Sequence, residues 1–459
     1  MGGADHRRLP AAGVPRRPLL SRAGAGGAAR GPDRAARRPA DRTPCRGIRG
    51  RAPDLTGTAG LAPGGRIVTA PDVEATPQPL VDVDQERHAR FRTSFEAVTD
   101  FGRRLLAARL AAAGVLPAPG AVAGRAEILA RLAVAPGYQR LGDALLDLLA
   151  DAGLLRRQGD GLAVTGRVAE AAGFAEDDAV DAAAATLRRE HPEVAGYVPL
   201  LVACQTQLVE VVRGDRPANE VLFPGGSADL VSAIYRDNVQ LDFYNRLCAA
   251  RVREHVRQFL RRYPRSYVHV MEVGAGTGGT SGPVLDALTD RTERLRYFYT
   301  DVGPAFLRLG RQRFGVDRPH VDFARYNVEG APEDQGFEPG SMDVVLASNV
   351  LHATLRISVA LRHCHALLKP GGILVINEMT SRLDYNTLTF GLAEGWWRHA
   401  EDEPRVPASP LLDVAGWRAA LGRAGFVDVR AHAVPGLDAA EQVQTMFVAT
   451  ATGGGGSSR

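Results

Sequence analysis

A glycine-rich stretch that follows a short apolar run constrains the fold of this chain more than any other feature. Residues 268–280 read Val-His-Val-Met-Glu-Val-Gly-Ala-Gly-Thr-Gly-Gly-Thr. The apolar run is typical of a buried strand in a parallel sheet. Gly274, Gly276 and Gly278 then leave the turn without side chains, so that its backbone can approach a ligand at the start of a following helix. The stretch therefore predicts a strand, a turn and a helix that bind a nucleotide-like cofactor.

The turn alone does not identify the cofactor. Gly274, Gly276 and Gly279 also fit the G-x-G-x-x-G pattern of dinucleotide-binding enzymes, which is weak by itself. A glycine turn that serves only close packing is the structural alternative. Glu272, two residues before the first glycine, favours S-adenosylmethionine, because a carboxylate there can bind the ammonium group of the methionine part.

Two later segments also favour S-adenosylmethionine. Residues 297–300 indicate a second strand, and Asp301 at its end can accept hydrogen bonds from ribose hydroxyls. Residues 342–349 indicate an apolar strand with a polar tip, as methyltransferases have after their fourth strand. Together these features predict a class I S-adenosylmethionine-dependent methyltransferase core that uses no metal. The predicted cofactor-binding residues are Glu272, Gly274, Ala275, Gly276, Gly278, Asp301, Val302, Asn327, Val328, Asn349 and Val350.

Composition and charge argue against several other classes of protein. Residues 1–70 contain 14 arginines and 4 acidic residues, and the rest of the chain is acidic overall. An acidic body argues against a nucleic-acid-binding protein. No stretch approaches a membrane-spanning run, and the 4 cysteines are too few and too scattered for a disulfide framework or a zinc site. We therefore expect a cytoplasmic protein that binds neither nucleic acid nor membrane.

The chain divides into four predicted parts. Residues 1–80 are basic and rich in arginine, alanine, glycine and proline, and residues 452–459 are rich in glycine, so both should be disordered. Residues 85–262 are mostly helical, and residues 153–165 predict two short strands around a glycine-aspartate turn. Such a winged-helix-like unit could read DNA, but it lacks a basic recognition helix, so we expect a lid over the substrate. Residues 263–451 form the methyltransferase core.

The predicted fold class is α/β, a Rossmann-like, doubly wound sheet of the class I methyltransferase type with an N-terminal, mostly helical lid domain. The strands of the core are expected at residues 268–273, 296–300, 321–325, 342–347, 373–377, 427–431 and 446–450.

A histidine and a glutamate follow two neighbouring strands of the predicted sheet. His352 comes shortly after the fourth strand, and Glu378 directly follows the fifth. Because adjacent parallel strands end at the same edge of a sheet, the two side chains can meet there. A carboxylate beside an imidazole fixes its tautomer and raises its basicity, which favours deprotonation of a carbon acid or a hydroxyl. The alternative is that His352 begins a helix and Glu378 is a solvated strand end.

Motifs in several parts of the chain occur in a recognisable combination. They are residues 222–227 (Leu-Phe-Pro-Gly-Gly-Ser) with Tyr235, residues 272–280, residues 335–337 (Gln-Gly-Phe), residues 349–354 (Asn-Val-Leu-His-Ala-Thr) and residues 390–397 (Phe-Gly-Leu-Ala-Glu-Gly-Trp-Trp). With these motifs the chain resembles the C-methyltransferase domains of polyketide synthases and related free-standing enzymes. The resemblance covers about residues 195–430 and, more faintly, the helical region before them.

The resemblance implies methylation of the α-carbon of a β-ketoacyl thioester that an acyl carrier protein holds. It implies that His352 and Glu378 form the catalytic dyad. The family also has an acid at the end of the third strand for the adenine amine, where this chain has Asn327. An amide oxygen can accept the same hydrogen bond.

Four aromatic residues are candidates for the substrate site. Trp396 and Trp397 follow the fifth strand, where the substrate entrance of this fold lies, and core packing is the alternative. Tyr235 and Tyr244 precede the core and can close over cofactor or substrate, again with core packing as the alternative.

Several functions remain open from the sequence. The leading one is C-methylation of a carrier-tethered or small-molecule acyl substrate, in trans, since no ketosynthase-, acyltransferase- or carrier-like segment is visible. An O-methyltransferase could use the same His352 as base on a phenol or an acid. A nucleic-acid amino-methyltransferase is disfavoured, because residues 349–351 read Asn-Val-Leu and not Asn-Pro-Pro. A catalytically silent scaffold is the alternative from another class, against which the glycines, Asp301, His352 and Glu378 all argue.

Overall fold

A computed structural model describes residues 81–235 and 238–453, and the N-terminal part of these residues is a layer of helices with a small antiparallel sheet. The sheet contains β1 (Val122–Gly124), β2 (Leu155–Gln158) and β3 (Gly161–Val164) in the order β1-β3-β2. The hairpin of β2 and β3 lies where the sequence predicts it, whereas β1 is too short for its alternation to be recognised. The helices of the layer are α1 (Gln85–Ala112), α2 (Arg125–Leu132), α3 (Gln139–Asp151), α4 (Gly166–Glu170), α5 (Asp177–Glu190), α6 (Tyr197–Thr206), α7 (Leu208–Arg213), α8 (Ala218–Leu222) and α9 (Asp229–Ala233).

Helix α1 is the main support of this layer. It begins at Asp84, whose side chain accepts a hydrogen bond from the backbone N–H of Arg87, which satisfies one of the free donors of the first turn. Phe91, Val98 and Leu105 recur every seven residues and are buried in one apolar core with α6. The helix therefore presents a continuous apolar face to the rest of the layer.

The second part of the chain forms a seven-stranded sheet in the order β6-β5-β4-β7-β8-β10-β9. Neighbours from β6 to β8 are parallel, and β10 is antiparallel to both β8 and β9. This arrangement confirms the predicted fold class. The strands are β4 (Val268–Val273), β5 (Leu295–Asp301), β6 (Val321–Arg325), β7 (Met342–Ser348), β8 (Leu368–Met379), β9 (Phe426–His432) and β10 (Gln444–Ala451). The later helices are α10 (Val239–Arg262), α11 (Ser281–Ala287), α12 (Pro304–Phe314), α13 (Ile357–Leu367), α14 (Asp384–Leu388) and α15 (Val414–Arg423).

Strand β8 is longer than the sequence predicts. The expected strand covers residues 373–377, but pairing begins at Leu368, which is opposite Met342. The register then shifts before the next pair, and Gly371 has a φ of 79°. Because a proline and a left-handed glycine are tolerated in a sheet at such an irregularity, the turn signal of residues 369–372 lies inside the strand.

Helix α10 packs on the sheet, although the sequence groups it with the lid of residues 85–262. Its residues Phe243, Leu247 and Val252 share a buried core with Val268 of β4. In contrast, the segment after β8 contributes five side chains to the buried core of the helical layer, namely Tyr385, Leu388, Leu392, Trp396 and Trp397. Helix α10 therefore packs with the seven-stranded sheet and the segment after β8 packs with the helical layer, and the division into lid and core stays a prediction.

Parts of the sequence predictions lie outside the described residues. The predicted disorder of residues 1–80 cannot be compared, and the same holds for all but the first two residues of the predicted C-terminal tail. Within residues 81–235 and 238–453, no helix is long and apolar enough to cross a membrane. The same residues contain no group of three or more His, Cys, Asp or Glu side chains arranged to hold a metal ion.

Candidate active site

Strands β7 and β8 bring His352 and Glu378 together at the carboxyl edge of the sheet. Nδ1 of His352 lies 2.6 Å from Oε2 of Glu378, and the two side chains are 5% and 0% exposed. Oε1 of Glu378 accepts hydrogen bonds from the backbone N–H groups of Val350 (3.0 Å) and Leu351 (2.8 Å). An ionised carboxylate at this position can only accept, so that a neutral imidazole in this contact has its proton on Nδ1 and its lone pair on Nε2. This is the tautomer that a general base requires, and the catalytic role of the pair stays a prediction.

Two unusual backbone positions shape this part of the site. One lies in the β7–α13 loop (residues 349–356) and the other lies in the glycine turn. Asn349 has a φ of 53°, a left-handed conformation that asparagine tolerates better than most residues. Its N–H donates to the carbonyl of Asn377 at 2.8 Å, which fixes the start of the loop to β8. A Cβ atom at Gly274 would lie 2.6 Å from Val350, so only glycine fits there. The predicted cofactor loop and the β7–α13 loop are thus in direct contact.

The glycine turn is tied to the end of β5 through Asp301. Oδ2 of Asp301 accepts from the N–H of Gly276 at 2.9 Å, and Oδ1 accepts from the N–H of Gly303 at 2.7 Å. The backbone N–H of Ala275 donates to the carbonyl of Thr300 at 2.9 Å. Burial raises the pKa of Asp301, and the hydrogen bonds from Gly303 and Gly276 oppose that shift. Asp301 therefore organises the turn in addition to any contact with ribose.

Glu272 lies beneath this turn and is buried. Its Oε2 atom accepts hydrogen bonds from the hydroxyls of Ser281 (2.5 Å) and Tyr297 (2.6 Å). Burial raises the pKa of Glu272 to about 7, and these two hydrogen bonds oppose the shift. Its predicted contact with the cofactor ammonium stays a prediction.

Asn327 lies in a turn that the Gln-Gly-Phe motif supports. Its side-chain oxygen accepts from the N–H of Glu329 at 3.0 Å. The amide of Gln335 bonds both the N–H and the carbonyl of Asn327, each at 2.8 Å. Val328 is buried and Val302 is exposed. Gln335 is therefore the residue that sets the position of the predicted adenine contact.

An open space lies beside the glycine turn. A Cβ atom at Gly279 would meet nothing within 4 Å, and this residue borders a cavity of about 620 Å³. Asn245 and Arg313 also line this cavity. Thr277 and Gly279 of the glycine turn line this cavity together with residues of α10 and α12, which have no signal in the sequence, whereas Asp301 is not among its lining residues. The turn, with its free backbone, and the carboxylate of Asp301 have the chemistry that S-adenosylmethionine needs, and the place of the cofactor stays a prediction.

A second, largely apolar cavity of about 690 Å³ lies beside the dyad. His352 and Asn349 form its floor at the sheet edge, and the ring of Trp396 packs edge-to-face on His352 with 5.4 Å between ring centroids. The aromatic walls that sequence reasoning missed are Phe91, Phe95, Tyr197, Tyr385 and Phe390. The apolar face of α1 predicts burial, but it does not reveal that part of this face borders a cavity.

The four aromatic candidates for the substrate site separate into two groups. Trp396 and Tyr235 line the cavity. Trp397 does not belong to its lining, because its Nε1–H donates to the carbonyl of Gly391 at 2.7 Å and its ring packs in the helical layer. Tyr244 is fully buried against the sheet and donates its hydroxyl to the carbonyl of Gln444. Trp397 and Tyr244 thus pack as the structural alternative describes, and a substrate role stays a prediction for all four residues.

The sheet order, the glycine turn and Asp301 at the end of β5 define a class I methyltransferase. A family model described as a methyltransferase domain matches residues 271–374. The solved structure of the DszA carbon methyltransferase superposes with a TM-score of 0.72 at 34% identity, and the alignment covers 82% of this chain and 95% of that chain. The CurJ carbon methyltransferase superposes with a TM-score of 0.69 at 29% identity, over 80% of this chain and 94% of that chain.

Curated relatives of the chain are polyketide synthases. ThaQ of Burkholderia thailandensis is 38% identical over 359 residues, or 77% of this chain, and PksM of Bacillus subtilis is 36% identical over 252 residues, or 55% of this chain. The chain spans only 17% and 6% of the lengths of these two proteins. It belongs to the carbon methyltransferases of polyketide synthases. It is an S-adenosylmethionine-dependent enzyme, as the sequence predicts.

Substitution of Asp301 by alanine is expected to weaken S-adenosylmethionine binding by about 1–3 kcal/mol. The change leaves the partly buried N–H groups of Gly276 in the turn and of Gly303 after β5 unpaired, and it removes the predicted ribose acceptor. Calorimetric titration of the cofactor measures the effect. Asp322→Ala is the control, since it removes a half-exposed carboxylate that pairs with Arg296 on the neighbouring strand. Equal affinity in both variants and the wild type would contradict the assignment of Asp301.

Proposed function

We propose that this chain methylates the α-carbon of a β-ketoacyl thioester and that His352 is the general base. The observation that carries the proposal is the buried contact of 2.6 Å between Glu378 and His352, which lines the 690 Å³ cavity. An α-carbon between two carbonyl groups becomes a nucleophile when it loses a proton. A histidine base beside a largely apolar cavity suits that step.

The two residues of the dyad have different roles in the proposed reaction. Nε2 of His352 takes the α-proton, and the electron pair of the broken C–H bond forms the enolate. Oε2 of Glu378 accepts from Nδ1 and stabilises the positive charge that develops on the imidazole. S-adenosylmethionine, when bound, supplies an electrophilic methyl group on a sulfonium centre, which a carbon nucleophile accepts. The aromatic side chains in the wall of the cavity place apolar surface beside the enolate.

The proposed substrate is tethered to an acyl carrier protein. The curated relatives are polyketide synthases, and the alignment with the DszA carbon methyltransferase spans nearly that whole chain. The wall of the cavity is largely apolar, which suits an acyl chain. Three arginines, Arg92, Arg103 and Arg382, also line it. Action in trans, which the sequence favours, stays a prediction.

Location of the transferred methyl group tests the function. The protein is incubated with S-adenosylmethionine and a panel of β-ketoacyl thioesters and phenols, and the products are analysed by mass spectrometry and NMR. We expect a new methyl group on the α-carbon of the thioesters. A methyl group on oxygen would instead support the O-methyltransferase alternative. Cofactor binding without any transfer across the panel would support a scaffold.

A further inference from the structure

A buried arginine, Arg405, contacts the main chain of the proposed base. The side chain of Arg405 is only 5% exposed. Its Nη1 atom donates to the carbonyl of His352 at 3.3 Å and to the carbonyl of Pro410 at 2.7 Å, and its Nη2 atom lies 3.1 Å from Oε2 of Glu403. Nε has no hydrogen-bond partner among the described residues. The guanidinium therefore bonds the main chain of the proposed base itself.

Glu403 extends this contact to the start of α13. Its side chain is 14% exposed, and its two oxygens accept from the N–H groups of Ile357 (2.8 Å) and Ser358 (3.0 Å). Burial alone would raise the pKa of Glu403, but these hydrogen bonds and the charge of Arg405 bring the pKa below its usual value. Arg405 and Glu403 together hold the β7–α13 loop at His352 and at its C-terminal end.

The charge of Arg405 also acts on the dyad. Burial lowers the pKa of the Arg405 guanidinium, whereas the negative charges of Glu403 and Glu378 raise it. The guanidinium remains charged at neutral pH, since the pKa of arginine is far above 7. A fixed positive charge that interacts with Glu378 also disfavours a second positive charge on the adjacent imidazole.

The other charged groups near the dyad have local partners. Burial lowers the pKa of His399 to about 4, with additional lowering by Arg140 and Arg405, so this imidazole is neutral near pH 7. Each arginine of the cavity wall lies within 4 Å of a carboxylate. These pairs are Arg92 with Glu441, Arg103 with Glu96 and Asp384, and Arg382 with Asp151. Tyr197, Tyr235 and Tyr385 complete the titratable lining.

We propose that Arg405 is a positioning residue that fixes the main chain of His352 and whose positive charge makes protonation of the imidazole less favourable. The proposal rests on the proposed function of His352 as the base. It assigns Glu403 the opposite electrostatic effect, because the carboxylate of Glu403 offsets part of the charge of Arg405.

The pH dependence of kcat/KM across the range in which histidine titrates tests this assignment. Arg405→Gln is expected to reduce methylation near neutral pH roughly tenfold, as the loss of a residue that orients a catalytic group does. It should also move the acid limb of the profile to higher pH, because the imidazole then protonates more readily. Arg405→Lys keeps the charge and should restore the wild-type position of the acid limb. Glu403→Gln should move the acid limb to lower pH.

A surface ion pair that joins the same two segments provides the matched control. Arg356 lies 2.8 and 2.7 Å from the two oxygens of Asp402, and these side chains are 43% and 65% exposed. Arg356→Gln should change the rate by no more than about twofold, since exposed pairs contribute little. It should leave the acid limb in place.

Opposite shifts for Arg405→Gln and Glu403→Gln are the expected result, because a purely structural role has no reason to produce shifts of opposite sign. An unshifted acid limb in Arg405→Gln, or a shift of the same sign in both variants, would overturn the proposal. If Arg405→Gln does not fold, as a thermal melt will show, an unshifted limb in Glu403→Gln overturns it equally. Failure of the proposed function is distinct, because then the wild type does not methylate β-ketoacyl thioesters.

Discussion

Replacing His352 with alanine is expected to slow methyl transfer roughly 10²–10⁴-fold, the contribution of a general base. Nε2 of His352 is the proposed proton acceptor in a cavity whose floor this side chain forms. Cofactor binding should persist, because the bonds that fix the glycine turn come from Asp301 and from the backbone of Thr300. Single-turnover rates and calorimetric titration of S-adenosylmethionine separate the two effects.

His320→Ala is the matched control for this substitution. His320 directly precedes β6. It therefore lies at the amino end of the parallel strands, whereas the dyad lies at their carboxyl end. Loss of its imidazole should leave the rate unchanged. Near-normal turnover in His352→Ala would instead mean that the substrate ionises unaided and that the enzyme acts by proximity alone.

The substitution Glu378→Gln is expected to be nearly as severe, although it preserves the shape of the side chain. Two backbone N–H groups point at Oε1 of Glu378, so the amide oxygen of glutamine must remain there. The amide NH₂ then faces Nδ1 of His352 and donates to it. The proton moves to Nε2, and the imidazole is held in the tautomer that cannot accept the α-proton. We expect a loss of roughly 10²–10⁴-fold in kcat with little change in cofactor affinity.

The double variant distinguishes this explanation from two independent effects. Since glutamine acts on the rate only through the imidazole, adding Glu378→Gln to His352→Ala should cost little more than His352→Ala alone. Losses that multiply would show that Glu378 acts on the substrate by its own contact. NMR of the imidazole nitrogens reports the tautomer directly.

The sheet could be predicted from the sequence because its strands are short apolar runs separated by turns, each with a signal of its own. The order of parallel strands also allowed the meeting of His352 and Glu378 to be predicted, since both follow strands that lie side by side. The prediction needed no knowledge of side-chain packing.

The walls of the site could not be predicted in the same way. Trp396 and Trp397 are adjacent and equally apolar, yet only Trp396 reaches the cavity, because successive positions of this short 3₁₀ turn point to different sides. A sequence pattern shows that a residue is buried but not which neighbour it meets. Arg405 gave no signal at all, since it lies in an irregular segment 53 residues after His352, whose carbonyl it contacts.

Exchange of the α-proton is the most direct test of the central claim, that the His352–Glu378 dyad deprotonates carbon. A β-ketoacyl thioester is incubated in D₂O with the enzyme and S-adenosylhomocysteine, which has no methyl group to transfer, and deuterium at the α-carbon is followed by NMR. We predict that the wild type accelerates exchange above the uncatalysed rate and that His352→Ala and Glu378→Gln both return it to that rate. Exchange that is equally fast in wild type and His352→Ala, in an enzyme that still methylates carbon, would contradict the account.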